Sequence, residues 1–223
     1  SATGHGRAQV LYFLAENLAA RSGEFAGRIA AMTGCSPEDA QQEVDASVER
    51  IFYYAAMADK YDGNVHHTVL RNVTLAMPEP VGVLGIVCPD ESPLLGFVST
   101  VIPAIAMGNR VVAVPSESFP LSATDFYQVL DTSDVPGGAL NIVTGKQEAL
   151  AKVLANHLDV DGIWYFGHQA GSRMVEHDSA GNMKRTWANH GRYRDWRNPA
   201  HGQGDVFLRQ ATQVKNIWVP YGE

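Results

Sequence analysis

Residues 79–117 read EPVGVLGIVCPDESPLLGFVSTVIPAIAMGNRVVAVPSE, from Glu79 to Glu117. Val81 to Cys88 and Val111 to Val114 are apolar and rich in β-branched residues, without polar alternation. Strands covered on both faces read this way. Between them lies a long apolar stretch of helical length, so the order is strand, helix, strand. The economical interpretation is a parallel pair joined by a crossover helix, a unit that offers its ligand site at the strand ends. The expected fold class is therefore α/β: a Rossmann-like parallel sheet with flanking helices.

Downstream the alternation continues. Leu121 to Thr132 reads as a helix, Ala139 to Thr144 as a strand, Gln147 to His157 as a helix and Gly162 to Phe166 as a strand, which predicts four parallel strands. Pro136-Gly137-Gly138 and Gly145 punctuate the loops. Upstream, Val10, Leu11, Leu14 and Leu18 recur at helical spacing, and Ser22 is offered as the N-cap of a second helix carrying Phe25, Ile29 and Met32, ended by Gly34. Ser36-Pro37-Glu38-Asp39 then combines a capping hydroxyl, Pro at the first position and two first-turn acids. The helix it opens carries Val44, Val48, Ile51, Phe52 and Ala55 on one face, a core stripe. Asn64 to Met77 alternates as an extended arm with a turn at Asn72. Its adjacent His66 and His67 point to opposite faces of a strand, which disfavours joint metal ligation, and no metal is expected.

Composition bounds the function. The 223 residues are 45% apolar and 18% charged, ordinary for a soluble globular chain, and the net charge of −7 disfavours a generic polyanion partner. No apolar run is long and uninterrupted enough to cross a membrane, and no basic-then-apolar leader pattern opens the sequence as given. Cys35 and Cys88 supply neither a disulfide framework nor metal spacing, and both read as structural. A reducing, cytoplasmic setting is expected.

The decisive stretch also resembles the aldehyde dehydrogenase superfamily, whose members carry EPxGVxGxIxPWNFPL and PALAxGNxVVxKPSE along strand, helix and strand. The likeness extends to RAxxLxxLAxxL and YYAxxADKxxG in the leading helices, to PxGxLNxVTG at Pro136 to Gly145 and to DVDxIxFTGSxxxG at Asp159 to Gly171. It runs from about Arg7 to Arg185. It implies helices at 1–63 packing on a Rossmann-like domain at 78–183, an oligomerisation β-arm at 64–77, a connector at 184–206 replacing the catalytic domain, and a C-terminal oligomerisation strand at 207–223. Arm and strand would together form an oligomerisation flap. Because the likeness begins abruptly, the chain is expected to derive from something longer.

Where the family does its chemistry, the sequence departs from it. Asp90-Glu91-Ser92 stands for Trp-Asn-Phe, which puts Glu91 at the oxyanion-holding Asn, and Val114 stands for the cofactor-binding Lys. The general-base Glu of ELGGK aligns near Asn189, and an amide is not a base. In the family a Gly-Ser pair opens a helix whose amides face the dinucleotide pyrophosphate. Here Gly167-His168-Gln169-Ala170-Gly171 is one residue shorter, with His168 for the Ser; a protonated His168 would donate to a phosphate. Glu117, Gly145, Gly167, His168 and Gly171 remain as a vestigial cofactor site, so no cofactor is expected, or NAD held weakly.

Lys184 to Arg197 interleaves five basic residues with Trp187, Tyr193 and Trp196. The combination suits single-stranded nucleic acid, but linker packing by cation–π contacts is the more economical reading, and no nucleic-acid partner is expected. The ending, with Val214, Ile217, Trp218 and Val219, resembles the family's YxxVKxVWV strand, which joins a neighbour's sheet. The nearest resemblance is to the degenerate, non-catalytic C-terminal domain of aldehyde dehydrogenase family sixteen, and a bacterial origin would suit it. The expected function is a pseudo-enzyme domain with a structural role in a larger aldehyde dehydrogenase, partnered by a catalytic module in cis or trans and self-associating when isolated. Two other readings stay open: an NAD-dependent aldehyde oxidoreductase completed by another segment, and a nucleotide-binding regulatory domain.

Overall fold

The computed structural model describes residues 2–221. Three helices come first. Thr3 caps α1 (Gly4–Ala20), its hydroxyl accepting from Gly6 N at 3.1 Å. Helix α2 (Ser22–Thr33) stops at Gly34, whose φ of 73° is the left-handed conformation that glycine adopts without a Cβ penalty. Helix α3 (Pro37–Met57) starts as its sequence demands: Ser36 Oγ accepts from Asp39 N at 3.0 Å, with Pro37 at the first position. The cap expected of Ser22 is not formed. Arg21 N donates to Leu18 O at 3.1 Å and closes α1, so Ser22 is already the first residue of α2 and no extended residue is left to cap it.

The arm is a hairpin of β1 (Asn64–His66) and β2 (Asn72–Pro80), three residues longer at its end than expected. There follow β3 (Val83–Val87), α4 (Leu95–Ala106), β4 (Arg110–Val114), α5 (Leu121–Asp131), β5 (Leu140–Ile142), α6 (Gln147–Asn156), β6 (Gly162–Tyr165) and α7 (Gln169–Ser179). The chain continues through β7 (Arg185–Ala188), the short helices α8 (Pro199–Gly202) and α9 (Asp205–Gln210), and β8 (Thr212–Pro220).

Strands β3 to β7 form one parallel sheet in the order β5-β4-β3-β6-β7. The chain leaves β3 toward β4 on one side and returns to β6 on the other, so the switch point lies between the ends of β3 and β6, where an open α/β sheet holds ligands. Helices α1 to α5 cover one face with Leu84, Ile86, Val111, Ala113 and Trp164; α6 and α7 cover the other with Val87, Val114, Ile163 and Tyr165. Every residue of α4 is buried, which is why the helix carries no charged residue.

The sheet has five strands instead of the expected four. Arg185–Ala188, assigned from sequence to the connector, pairs with β6 from Gly162↔Arg185 to Tyr165↔Ala188. The tetrapeptide RTWA has no apolar run of its own, and its strand conformation comes from the neighbour's hydrogen bonds. The tail strand joins the arm, the two elements that the resemblance placed in one flap. Strand β8 runs antiparallel to β2 over nine residues, from Asn72↔Pro220 to Pro80↔Thr212, giving a second sheet β1-β2-β8.

Glu43 joins α3 to α4 from a nearly buried position, its Oε1 accepting from Leu94 N at 2.8 Å and Leu95 N at 3.1 Å. Burial raises its carboxyl above the ordinary 4.5, against the lowering effect of those two amides and of Arg197. The folded protein therefore holds this proton to higher pH than the unfolded chain does, and Glu43 subtracts stability as pH rises from its unfolded value through its folded one. Glu43→Gln is expected to remove that descending limb. Urea melts of both proteins across pH 4 to 8, a window centred about the carboxyl and neutral range, check this; parallel pH profiles would refute it.

Candidate functional site

The loops that leave β3, β4, β6 and β7 meet at the carboxyl edge of the sheet. After β3, Asp90 reaches across to the loop after β4: its Oδ1 accepts from Ser116 Oγ at 2.6 Å and Glu117 N at 2.9 Å. Glu117 in turn accepts from Gln147 N, the first amide of α6, at 2.8 Å. The Gln147 side chain closes the ring, donating to Cys88 O at 2.8 Å and Pro115 O at 3.0 Å. An acid belongs at a helix N-terminus, so Glu117 has a structural partner where the resemblance made it a cofactor ligand. Val114 is 1% exposed and packs on the α6–α7 side of the sheet.

At the other half of the edge, His168 is the N-cap of α7. Its Nδ1 accepts from Gly171 N at 3.0 Å, which ties that nitrogen into the helix cap and leaves Nε2 of the exposed ring as its donor. Gly167 and Gly171 are needed for contact with Tyr165: a Cβ at Gly167 would lie 2.7 Å from the Tyr165 ring, and one at Gly171 only 1.9 Å from its hydroxyl. The loop after β7 lies over the same turn. Gly191, at φ 70°, donates to Gly167 O at 3.0 Å and brings its Cα so close that a Cβ there would sit 3.2 Å from Gln169 N. Asn189 N donates to Tyr165 O at 2.9 Å, and its side-chain oxygen accepts from Arg192 N at 3.0 Å. Glu91 is exposed, in the turn before α4, and Gly145 lies in the loop before α6 at φ 153°. The edge thus gathers Glu117 with Asp90, and Gly167, His168 and Gly171 with Asn189.

Cys88, at the end of β3, is not activated there. Cys88 is fully buried, with Thr100 Oγ1 3.5 Å from its sulfur, and burial pushes its thiol up to about 12, so it is un-ionised at neutral pH. Cys35 lies between α2 and α3.

Residues 1–192 match the aldehyde dehydrogenase family. The chain belongs to that family. It is 33% identical over 148 residues to the NADP/NAD-dependent aldehyde dehydrogenase PuuC of Escherichia coli strain K12, covering 66% of this chain and 30% of that one. It is 32% identical over 182 residues to the mitochondrial aldehyde dehydrogenase of Leishmania tarentolae, covering 80% and 36%. Among solved structures, PnpE from Pseudomonas sp. WBC-3 in complex with nicotinamide adenine dinucleotide superposes with a TM-score of 0.82 at 29% identity, over 86% of this chain and 39% of PnpE. The chain therefore spans 30% to 39% of the length of these three proteins.

Within an aldehyde dehydrogenase fold, three residues that sequence reasoning passed over shape the edge: Asp90, Gln147 and Tyr165. Asp90 was visible as a departure from the family motif, and its place just after a strand end was the available signal. Gln147 and Tyr165 carried none, since one reads as a helix start and the other as strand core. The apolar members of the candidate interface lie elsewhere, on the second sheet. Val73, Leu75 and Met77 of β2 share a face with Val219 and Ile217 of β8 and with Val65 of β1, by register and strand alternation. On that face Val65 is 69%, Met77 44% and Val219 48% exposed. Val214 and Trp218 belong to the opposite face, 64% and 55% exposed. Among the described residues no helix is long and apolar enough to cross a membrane.

Proposed function

We propose that this chain is a non-catalytic aldehyde dehydrogenase domain, of the kind found as a degenerate C-terminal domain in family sixteen, whose work is assembly with an aldehyde dehydrogenase catalytic module in cis or trans. The observation that carries the reading is that the groups a dinucleotide would use are bonded to one another. Gly171 N is taken by His168 and Glu117 by Gln147 N, and the loop at Gly191 runs beside the start of α7, tied to it through Gly167 O. With Val114 adding no charge, the residues present do not fit NAD, although related structures bind it. Asn189 supplies no base at the general-base position, and Glu91 no donor at the oxyanion position. As part of the same proposal the domain works in the cytoplasm of a bacterium, where unpaired thiols stay reduced.

Assembly falls to the β1-β2-β8 sheet. Its row of exposed apolar side chains and the outer edge of β8 are the features a partner strand or sheet would cover. Deleting 213–223 is expected to abolish association, read as mass by light scattering with and without a co-encoded aldehyde dehydrogenase. A truncated chain that assembles as fully as the intact one in both settings would remove the assembly role. Separately, the purified chain is expected to reduce neither NAD nor NADP with any of a panel of aldehydes. Turnover abolished by Cys35→Ala or Cys88→Ala, or a micromolar NAD dissociation constant, about −8 kcal/mol, would overturn the non-catalytic reading.

A further inference from the structure

We propose that the cavity at the carboxyl end of β7 is a binding site for a small planar organic anion, an aromatic monocarboxylate being the class it fits; the proposal stands apart from the assembly role. The cavity measures about 380 Å³ and is lined by Trp187, Asn189, Arg192, Tyr193, Arg194 and His201, with two alanines completing its wall. In a chain of net charge −7, this lining holds two arginines and a histidine and no carboxylate. Arg192 and Arg194 have no acidic partner within ion-pair distance among the described residues.

Arg194 is the anchor. Its guanidinium carbon lies 5.5 to 5.8 Å from the ring centres of Phe166, Trp187, Trp196 and Phe207, so aromatic faces hold the cation in place. Nη1 donates to His201 O, which leaves the rest of a five-donor fork without a described partner. A half-buried cation of this kind gains most from an anion that enters the cavity, because burial has already stripped part of its water. A planar carboxylate matches the fork in a bidentate pair. Arg192 extends the positive wall from an exposed position, its backbone fixed by Asn189.

The aromatic walls choose among anions. Trp187 is partly exposed and Tyr193 is 79% exposed, so both offer ring surface beside the cations. A tetrahedral phosphate has no use for those surfaces and is strongly hydrated; an aryl carboxylate uses ring and charge together. A polynucleotide would need a basic track beyond this one cavity.

Benzoate is the probe, titrated into the intact chain by calorimetry, with benzamide and inorganic phosphate as controls. Benzoate is expected to saturate one site at millimolar or lower concentration, to weaken with added salt, and to outcompete phosphate, while benzamide stays silent. Arg192→Gln and Tyr193→Ala, both exposed and outside the core, are each expected to weaken benzoate about fivefold, roughly 1 kcal/mol, with unchanged melting temperature. Arg194→Lys should weaken it further and show whether the fork geometry matters beyond the charge. No saturable benzoate binding, equal binding of benzamide, preference for phosphate, or affinity unmoved by both exposed variants would each overturn the assignment.

Discussion

Phe207→Ala is expected to cost about 3–5 kcal/mol, the range for truncating a fully buried large aromatic. Phe207 is 0% exposed in α9, and its ring is the meeting point of chain segments far apart in sequence. Ring centres lie 6.4 Å away for Tyr54 of α3, 6.4 Å for Trp164 of β6, 5.2 Å for Trp187 of β7 and 6.4 Å for Trp196 in the segment after it. Arg194 sits 5.6 Å above it. Removing the ring leaves a cavity that these large, rigid neighbours cannot close, so the cost should lie toward the upper end of the range. Chemical denaturation should show a lower midpoint with an unchanged slope, while Phe207→Leu recovers part of the loss. A change under about 1 kcal/mol would mean that the segment from β7 to α9 is not integral to the core. That result would return residues 184–206 to the status of a loose connector.

The same cluster explains what was legible in the sequence and what was not. Val81 to Cys88, the apolar helix and Val111 to Val114 were readable because the strands and all sides of α4 are covered, which leaves no room for charged residues. Local caps such as Ser36-Pro37 were readable for the same kind of reason, a donor satisfied within three residues. Strand β7 was not, because its pairing with β6 and the packing of Trp187 against Trp164 at 5.0 Å are contacts made across the fold. The cation–π packing expected of the basic and aromatic run is present at Arg194. The substitution of His168 was visible, but the capping bond of its Nδ1 was not: that bond depends on Gly171 N lying within reach, which only the helix start decides. Likewise the tail was recognisable as a strand, while its partner β2 within the same chain became evident only from register.

Gly171→Ala is expected to act with the opposite sign to its helix propensity. In an exposed helix interior the change would stabilise by about 0.5–1 kcal/mol. Here Gly171 is in the first turn of α7 and buried, and an added Cβ would meet Tyr165 Oη at 1.9 Å, Cζ at 2.4 Å and Cε1 at 3.0 Å. Tyr165 is 1% exposed and lies under the α6–α7 layer, so the ring cannot swing aside without disturbing Val175 and its neighbours. Overpacking of this kind costs about 1–3 kcal/mol, enough to outweigh the propensity gain. Tyr165→Ala alone should also destabilise, by opening a cavity. In the double variant the clash disappears and the new methyl fills part of the space, so the combined loss should be smaller than the sum of the two. A coupling of roughly 1 kcal/mol or more in a double-mutant cycle would place the close approach of Tyr165 to α7 in solution. Additive effects, or a stabilised Gly171→Ala single variant, would mean that the first turn of α7 stands clear of Tyr165, and that turn would then have room for a ligand which the described geometry denies it.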